Sequence, residues 1–284
     1  MSDQMSARNV NAAVVASFGQ EWRKFDHAST SESELRTHFE AYFQIFPWNL
    51  VSENSVGFDL GCGSGRWAYF VAPRVGVLHC IDPSPDALQV AKKKLKRFEN
   101  CRFHVAAADN IPLPDGSADF GYSLGVLHHL PNTYQGIVDC CKKLKPGSPL
   151  LLYLYYRFDN RPIWFRTLWK ISDIARLLIC RLDPHVKQLI ADLLAIVVYW
   201  PLARFARLCE SLGMSVGTFP LAAYRNRSFI FMRNDSLDRF GTLVEHRFTR
   251  KEIQEMMQSA GLENIKFSGE SGPFWAAVGY KQAT

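Results

Sequence analysis

A short buried run, Val56 to Leu60, ends in Asp59-Leu60-Gly61-Cys62-Gly63-Ser64-Gly65 and passes directly into a helical stretch from Arg66 to Val71. This junction constrains the fold more than any other part of the chain. Three glycines on the turn permit positive φ and leave no Cβ, so a ligand can approach the backbone closely. The open N–H groups at the start of the following helix favour an electron-rich or anionic group. Asp82 follows Gly61 by 21 residues, at the end of a second β-rich run, Val77 to Ile81. A carboxylate at that station can accept both hydroxyls of a ribose. The local reading is a nucleoside-containing cofactor on an α/β sheet.

The alternation continues along the chain. Pro85 to Phe98 is an amphipathic helix with Leu88, Val90, Ala91 and Leu95 inward, and Arg102 to Ala107 is a third strand. Asp119 to Leu124 is a fourth, a helix from Asn132 ends at Leu144, and Leu150 to Tyr155 is a fifth. Strands alternating with helices of this length imply βαβ units and a largely parallel sheet. Residues 157–212 break the rhythm, with several helical segments and no strand signal. Near the end Thr249, with Glu252 three residues on, caps a helix stopped by Gly261. Two strands follow in hairpin-like order, Asn264 to Phe267 and Phe274 to Lys281. The expected organisation is a helical arm or lid over 1–50, a cofactor-binding α/β core over 51–156, a mainly helical insertion over 157–245, and the last helix and strands over 246–284.

Which nucleoside cofactor depends on the loop. The dinucleotide pattern GxGxxG has its last glycine where this chain has Arg66; here the third glycine comes one residue early. An acidic residue, Asp59, stands two before the first glycine. This DxGxGxG arrangement resembles the first motif of the class I S-adenosylmethionine-dependent methyltransferases. Asp119 to Leu130, reading DFGYSLGVLHHL, and Leu144-Lys145-Pro146-Gly147 resemble the small-molecule subgroup that includes the ubiquinone and menaquinone methyltransferases. The resemblance covers residues 54–156 well and 249–281 in outline, and does not reach the insertion. It implies a doubly wound, mostly parallel seven-stranded sheet, a Rossmann-like fold with its helical insertion after the fifth strand. It also implies S-adenosylmethionine as cofactor, held by Asp59, Gly61, Cys62, Gly63, Gly65, Asp82, Pro83, Ala108, Asp109, Asn110 and Gly125. Asp109 takes the adenine amino group and Ala108 lines the ring. Cys62 also has a plain reading as a small filler of the glycine loop.

His128 and His129 lie where the fourth strand opens toward the transferred methyl group. Methyl transfer is a displacement in which the protein chiefly aligns nucleophile and sulfonium. A base is needed only when the acceptor must lose a proton, and histidine titrates in the useful range. Either His128 or His129 could be that base; the alternative is a scaffold role, one ring packing under the cofactor. No (N/D)PP(Y/F) stretch follows the fourth strand, and no cysteine stands where a pyrimidine-attacking nucleophile would. A nucleic-acid acceptor is therefore not expected. The net charge of +6 agrees, since the one basic run, Lys92 to Arg97, reads as a solvated helix face.

The seven cysteines are odd in number, scattered and without a CxxC pair, which argues for reduced thiols in the cytoplasm and against a metal site or disulfide framework. The first ten residues lack the apolar region of a secretory signal. The most apolar run, Leu193 to Leu202, has about ten residues where a spanning helix needs roughly 20, so no transmembrane segment is expected. The arm carries Phe18, Trp22 and Phe25 at helical spacing, which suits either a helix on the domain edge or a lid over the cofactor.

The insertion has two readings. From Ile163 to Arg181 a helix places Arg166, Lys170, Asp173 and Arg176 on one stripe with apolar residues around the rest. Between Arg157 and Glu210 nine Lys or Arg face five Asp or Glu. A cap packed on its own neighbours is one reading; a hydrophobic substrate channel or a surface resting on a membrane is the other. Arg225, Arg227, Arg233, Arg239 and Arg247 cluster around polar turns after it, and Arg225 and Arg227 are candidate anchors for a carboxylate or phosphate of the acceptor. The functional expectation is methyl transfer to a small-molecule acceptor, hydrophobic or linked to a glycan or lipid. The alternatives are an NAD-dependent oxidoreductase and a non-catalytic cofactor-binding adaptor at a membrane surface.

Overall fold

The computed structural model describes residues 9–16, 32–159, 161–269 and 275–283. Seven strands form one sheet: β1 (Val56–Leu60), β2 (Val77–Asp82), β3 (Cys101–Val105), β4 (Phe120–Leu124), β5 (Pro149–Leu154), β6 (Leu262–Phe267) and β7 (Trp275–Lys281). Their order is β3-β2-β1-β4-β5-β7-β6. The first five pair in parallel and β7 runs antiparallel between β5 and β6. This is the doubly wound arrangement expected from the alternation.

Helices cover both faces because the central parallel strands β1, β4 and β5 are buried on both sides. On one face α1 (Glu32–Phe43), the short α2 (Ala68–Val71) and α3 (Pro85–Lys94) bring Phe39, Phe43, Phe70, Leu88 and Ala91 onto Phe120 and Tyr122. On the other, α4 (Thr133–Lys143) lays Ile137, Cys140 and Cys141 against Phe58, Leu60 and Leu150. Asn132 caps α4 through its side chain, which accepts from Gln135 N at 3.0 Å. All seven cysteines are free thiols and buried.

At the centre, β1 and β4 interlock. Gly57 pairs in register with Phe120, and Phe58 with Gly121. A Cβ on Gly57 would lie 2.1 Å from the Phe120 ring, and one on Gly121 would lie 2.2 Å from Phe58. Each glycine is the hole that the opposite phenylalanine fills.

Between β5 and the last helix, α9 (Arg250–Ser259), lies the insertion: α5 (Ile163–Ile179), α6 (Pro184–Leu194), a π-helical turn (Ala195–Tyr199), α7 (Trp200–Ser211) and α8 (Phe229–Gly241). Two features depart from the sequence reading. The stretch around Arg225 to Arg239, read as polar turns, contains α8. The apolar run read as about ten residues is the middle of one continuous helical rod, Pro184–Ser211, of 28 residues, long and apolar enough by length and composition to cross a membrane. Two of its charges are turned aside: Asp192 takes two bonds from Arg233 at 2.5 and 2.7 Å, and Arg204 donates to the carbonyls of Arg225 and Arg227.

The insertion closes on the core through a narrow neck. Tyr156 and Phe248 form an isolated parallel bridge, with Phe248 N donating to Tyr155 O and Arg157 N to Phe248 O, both at 2.9 Å.

Candidate active site

The strand order reverses between β1 and β4, so the loops leaving their carboxyl ends diverge and open a crevice. A cavity of about 890 Å³, open mouth included, occupies that position. It is lined by Gly61, Cys62, Gly63, Asp82, Pro83, Ala108, Gly125 and His129. Gly61, Gly63 and Gly65 have φ of 76°, 52° and 73°, and a Cβ on Gly61 would strike the Val126 side chain at 2.3 Å. The turn therefore requires glycine for both its conformation and its proximity to the loop after β4.

Asp82 ties the crevice together. Its Oδ2 accepts from Gly63 N at 2.9 Å and its Oδ1 from Ser84 N at 2.8 Å. Burial pushes the carboxyl up to about 6, while the two backbone donors pull the other way. Asp59 lies deeper, 1% exposed. Burial pushes it up to about 8, opposed by the Tyr122 hydroxyl, and its Oδ2 has no hydrogen bond of good geometry. A buried carboxylate oxygen in that state suits a cationic or amide-bearing ligand placed above the loop. Gly65 and Asp59 stand behind the cavity wall, as do Asp109 and Asn110. Asp109 Oδ2 accepts from Asn9 N at 3.0 Å.

Residues 9–16 cross the mouth. Asn9 exchanges two bonds of 2.8 Å with the backbone of Asn132, and Val10, Asn11, Val14 and Val15 line the cavity. Phe18, Trp22 and Phe25 lie outside the described residues.

The two histidines separate. His129 lines the cavity; its Nδ1 lies 2.7 Å from Val244 O, which fixes the proton there and turns Nε2 toward Asp238 Oδ1 at 3.9 Å. His128 is fully buried, stacked on Tyr155 with ring centroids 3.8 Å apart. Burial, then His129, holds it well below the usual imidazole range, so it is a neutral packing ring and not a group facing the cavity.

Beyond His129 and Arg66 the cavity abuts a polar cluster that the sequence reading did not include. Tyr155 donates its hydroxyl to Asp238 Oδ2, Thr242 Oγ1 reaches Asp238 Oδ1 at 3.3 Å, and Tyr224 donates to Asp235 Oδ2 at 2.9 Å. Tyr42 and Tyr153 stand with centroids 4.9 Å apart, and Arg247 covers the Tyr155 ring at 4.9 Å. Burial, then the neighbouring Asp238, raises Asp235 to about 7, against Tyr224, Arg66 and Arg227. Burial likewise raises Tyr42 to about 12 and Tyr155 well above the usual phenol range. The hydroxyls therefore act as donors to the carboxylates. Arg227 is half-buried beside this cluster, where burial lowers it against the pull of Glu34, Tyr42 and Asp235. Arg225 points elsewhere, to Glu210 at 2.8 Å.

Together, sheet order, glycine turn and crevice define a nucleoside-cofactor domain of the Rossmann-like kind. Residues 58–152 match the methyltransferase domain family. Over 94 residues the chain is 33% identical to a demethylmenaquinone methyltransferase of Tropheryma whipplei, covering 33% of this chain and 39% of that one. Over 132 residues it is 32% identical to phosphoethanolamine N-methyltransferase 2 of Caenorhabditis elegans, covering 41% and 30%. The chain thus matches less than half the length of either relative. Human N-acetylserotonin methyltransferase, solved in complex with SAM, shares the fold at a TM-score of 0.55 and 15% identity, over 95% of this chain and 58% of that one.

Proposed function

We propose that this chain transfers a methyl group from S-adenosylmethionine to a small-molecule acceptor held between the switch-point cavity and the polar cluster on α8. Bound there, the cofactor supplies an electrophilic methyl group on a sulfonium. The residues present fit it: Asp82 for vicinal hydroxyls, the Gly61–Gly65 turn for close approach, and the buried Asp59 carboxylate for a cationic group beyond the turn. The observation that carries the reading is that His129, on the cavity wall, turns Nε2 toward Asp238 at 3.9 Å, and Asp238 in turn accepts the Tyr155 hydroxyl.

That array can hold a polar acceptor atom and take its proton. Asp238 receives the Tyr155 and Thr242 hydroxyls, and His129 turns its Nε2 toward it at 3.9 Å. A hydroxyl or amine docked between His129 and Asp238 would be oriented by both.

The test is binding of S-adenosylmethionine by calorimetry, then incubation of labelled cofactor with a metabolite extract and mass spectrometry of the products. Methylated product with matching S-adenosylhomocysteine is expected. Absence of cofactor binding would sink the reading, and tight NAD binding would return the oxidoreductase alternative.

A further inference from the structure

The insertion turns a broad apolar surface to the outside. On α5 the side chains of Ile163, Trp164, Leu168, Ile171, Ile174 and Leu178 are exposed; on the Pro184–Ser211 rod so are Leu189, Leu193, Ile196, Val197, Phe205 and Leu208. Ile163 is 79% exposed and Leu189 70%. Scattered apolar residues on a surface need no explanation, but so many on the outward sides of two helices mark a contact.

The opposite face of the rod decides how such a contact is made. Ala191, Ala195, Tyr199, Ala203, Ala206 and Cys209 recur every three or four residues and are buried. They form the stripe that docks the rod along its length on the rest of the insertion. Ser236 of α8 bonds Ala191 O at 2.9 Å, and Arg233 of α8 clamps Asp192. A helix held this way by a water-soluble body cannot also pass through a bilayer, although only 28% of its most apolar window is buried. It can lie in the interface with its outer stripe immersed.

Charge selects the occupant. The exposed cations on these helices and their turns are Arg166, Lys170, Arg181 and Arg207. The exposed acids over the same stretch are Asp183 and Glu210, and Glu210 is engaged by Arg225. A second copy of the chain on this face would bring like charges together, whereas anionic headgroups neutralise them. We propose that the outer face of α5 and the 184–211 rod is a membrane-docking surface. Its apolar stripes enter the acyl boundary of an anionic leaflet, and Arg166, Lys170, Arg181 and Arg207 meet lipid phosphates. This inference is independent of the methyl-transfer reading.

Flotation of the full chain with vesicles tests it, using phosphatidylcholine alone and phosphatidylcholine mixed with phosphatidylglycerol. Association with the mixed vesicles is expected to be about tenfold or more tighter than with the neutral ones, and to weaken in high salt. The double variant Leu189→Glu/Ile196→Glu should stay in solution with its circular dichroism and cofactor binding unchanged. Arg166→Glu/Lys170→Glu should lose the preference for anionic vesicles while its fold is retained. The proposal is overturned if wild type does not float with the mixed vesicles, or if both variants float as it does. It is equally overturned if light scattering finds a lipid-free dimer that Leu189→Glu/Ile196→Glu dissociates and that vesicles do not compete with.

Discussion

Asp82 accepts one backbone N–H on each oxygen and keeps further lone pairs for a ligand. Burial raises its carboxyl from an ordinary 3.8 to about 6, so the folded chain by itself favours the protonated form more than the unfolded chain does. On its own account it therefore lends stability below the unfolded value, which is lost as pH rises through about 6. Ligand hydroxyls reverse that preference, because they donate to the ionised carboxylate. Cofactor affinity should accordingly fall as pH drops below about 6, by up to about tenfold per unit, and Asp82→Asn should bind weakly without that break. Calorimetry between pH 5 and 8 on both proteins checks this; an unchanged break in the variant would acquit Asp82. In the proposed reaction Asp238 acts on the acceptor. Asp238→Asn should lower kcat by about a hundredfold, within the range for a lost proton acceptor, and leave cofactor affinity as it was. Equal loss of affinity would instead mark a structural role. The sequence made Asp82 legible because strand, turn and carboxylate follow one another locally. Tyr42, Tyr153 and Asp238 gave no such signal, since they come from α1, β5 and α8 and meet only through tertiary contact.

At the scale of elements, the β1–β4 pair shows packing that leaves no room for a methyl group. Gly57→Ala would set a Cβ 2.1 Å from the Phe120 ring, itself fully buried. Overpacking of a rigid core costs about 1–3 kcal/mol, and this contact, ring against strand, should fall at the upper end. Urea denaturation should show a lower midpoint with an unchanged slope, and a loss under about 0.5 kcal/mol would mean that the sheet relaxes more than close packing allows. Strands β1, β4 and β5 were legible because each is a largely apolar run closed by glycine, proline or charge, whereas β3, CRFHV, was legible from its place in the alternation. Helix α8 was not, because its buried positions include Asn234 and Ser236 beside Met232 and Phe240, which hides the helical period behind polar residues. The 184–211 rod was underestimated for the converse reason. Asp192 and Arg204 look like boundaries in the sequence, yet both are absorbed by partners on neighbouring segments.

In the whole molecule, the insertion and the core meet at the neck, and Glu245 is the charge on which that neck turns. Its side chain is 1% exposed and its Oε1 takes Nη1 of Arg239 and Nε of Arg247, each at 2.7 Å. Burial works to raise it, but Arg247 and Arg239 together hold it below the usual carboxylate range. Its contribution is therefore present above the unfolded value of 4.5 and lost as pH falls through the lower folded one. Arg239 reaches back to Asp173 on α5 at 3.2 Å, while Arg247 covers Tyr155 at the end of β5, so one carboxylate joins the insertion to the polar cluster. Glu245→Gln leaves two nearly buried guanidiniums facing a neutral amide, at a cost of about 3 kcal/mol. Because the α/β core has its own sheet and two apolar layers, that cost should fall on the insertion first. Hydrogen exchange should quicken across α5 to α8 while β1, β4 and β5 keep their protection. Cofactor binding should persist and turnover should fail, since the cluster on α8 is then no longer held against His129. Uniform loss of protection in core and insertion alike would show that the two unfold as one unit and that the neck is no hinge between them.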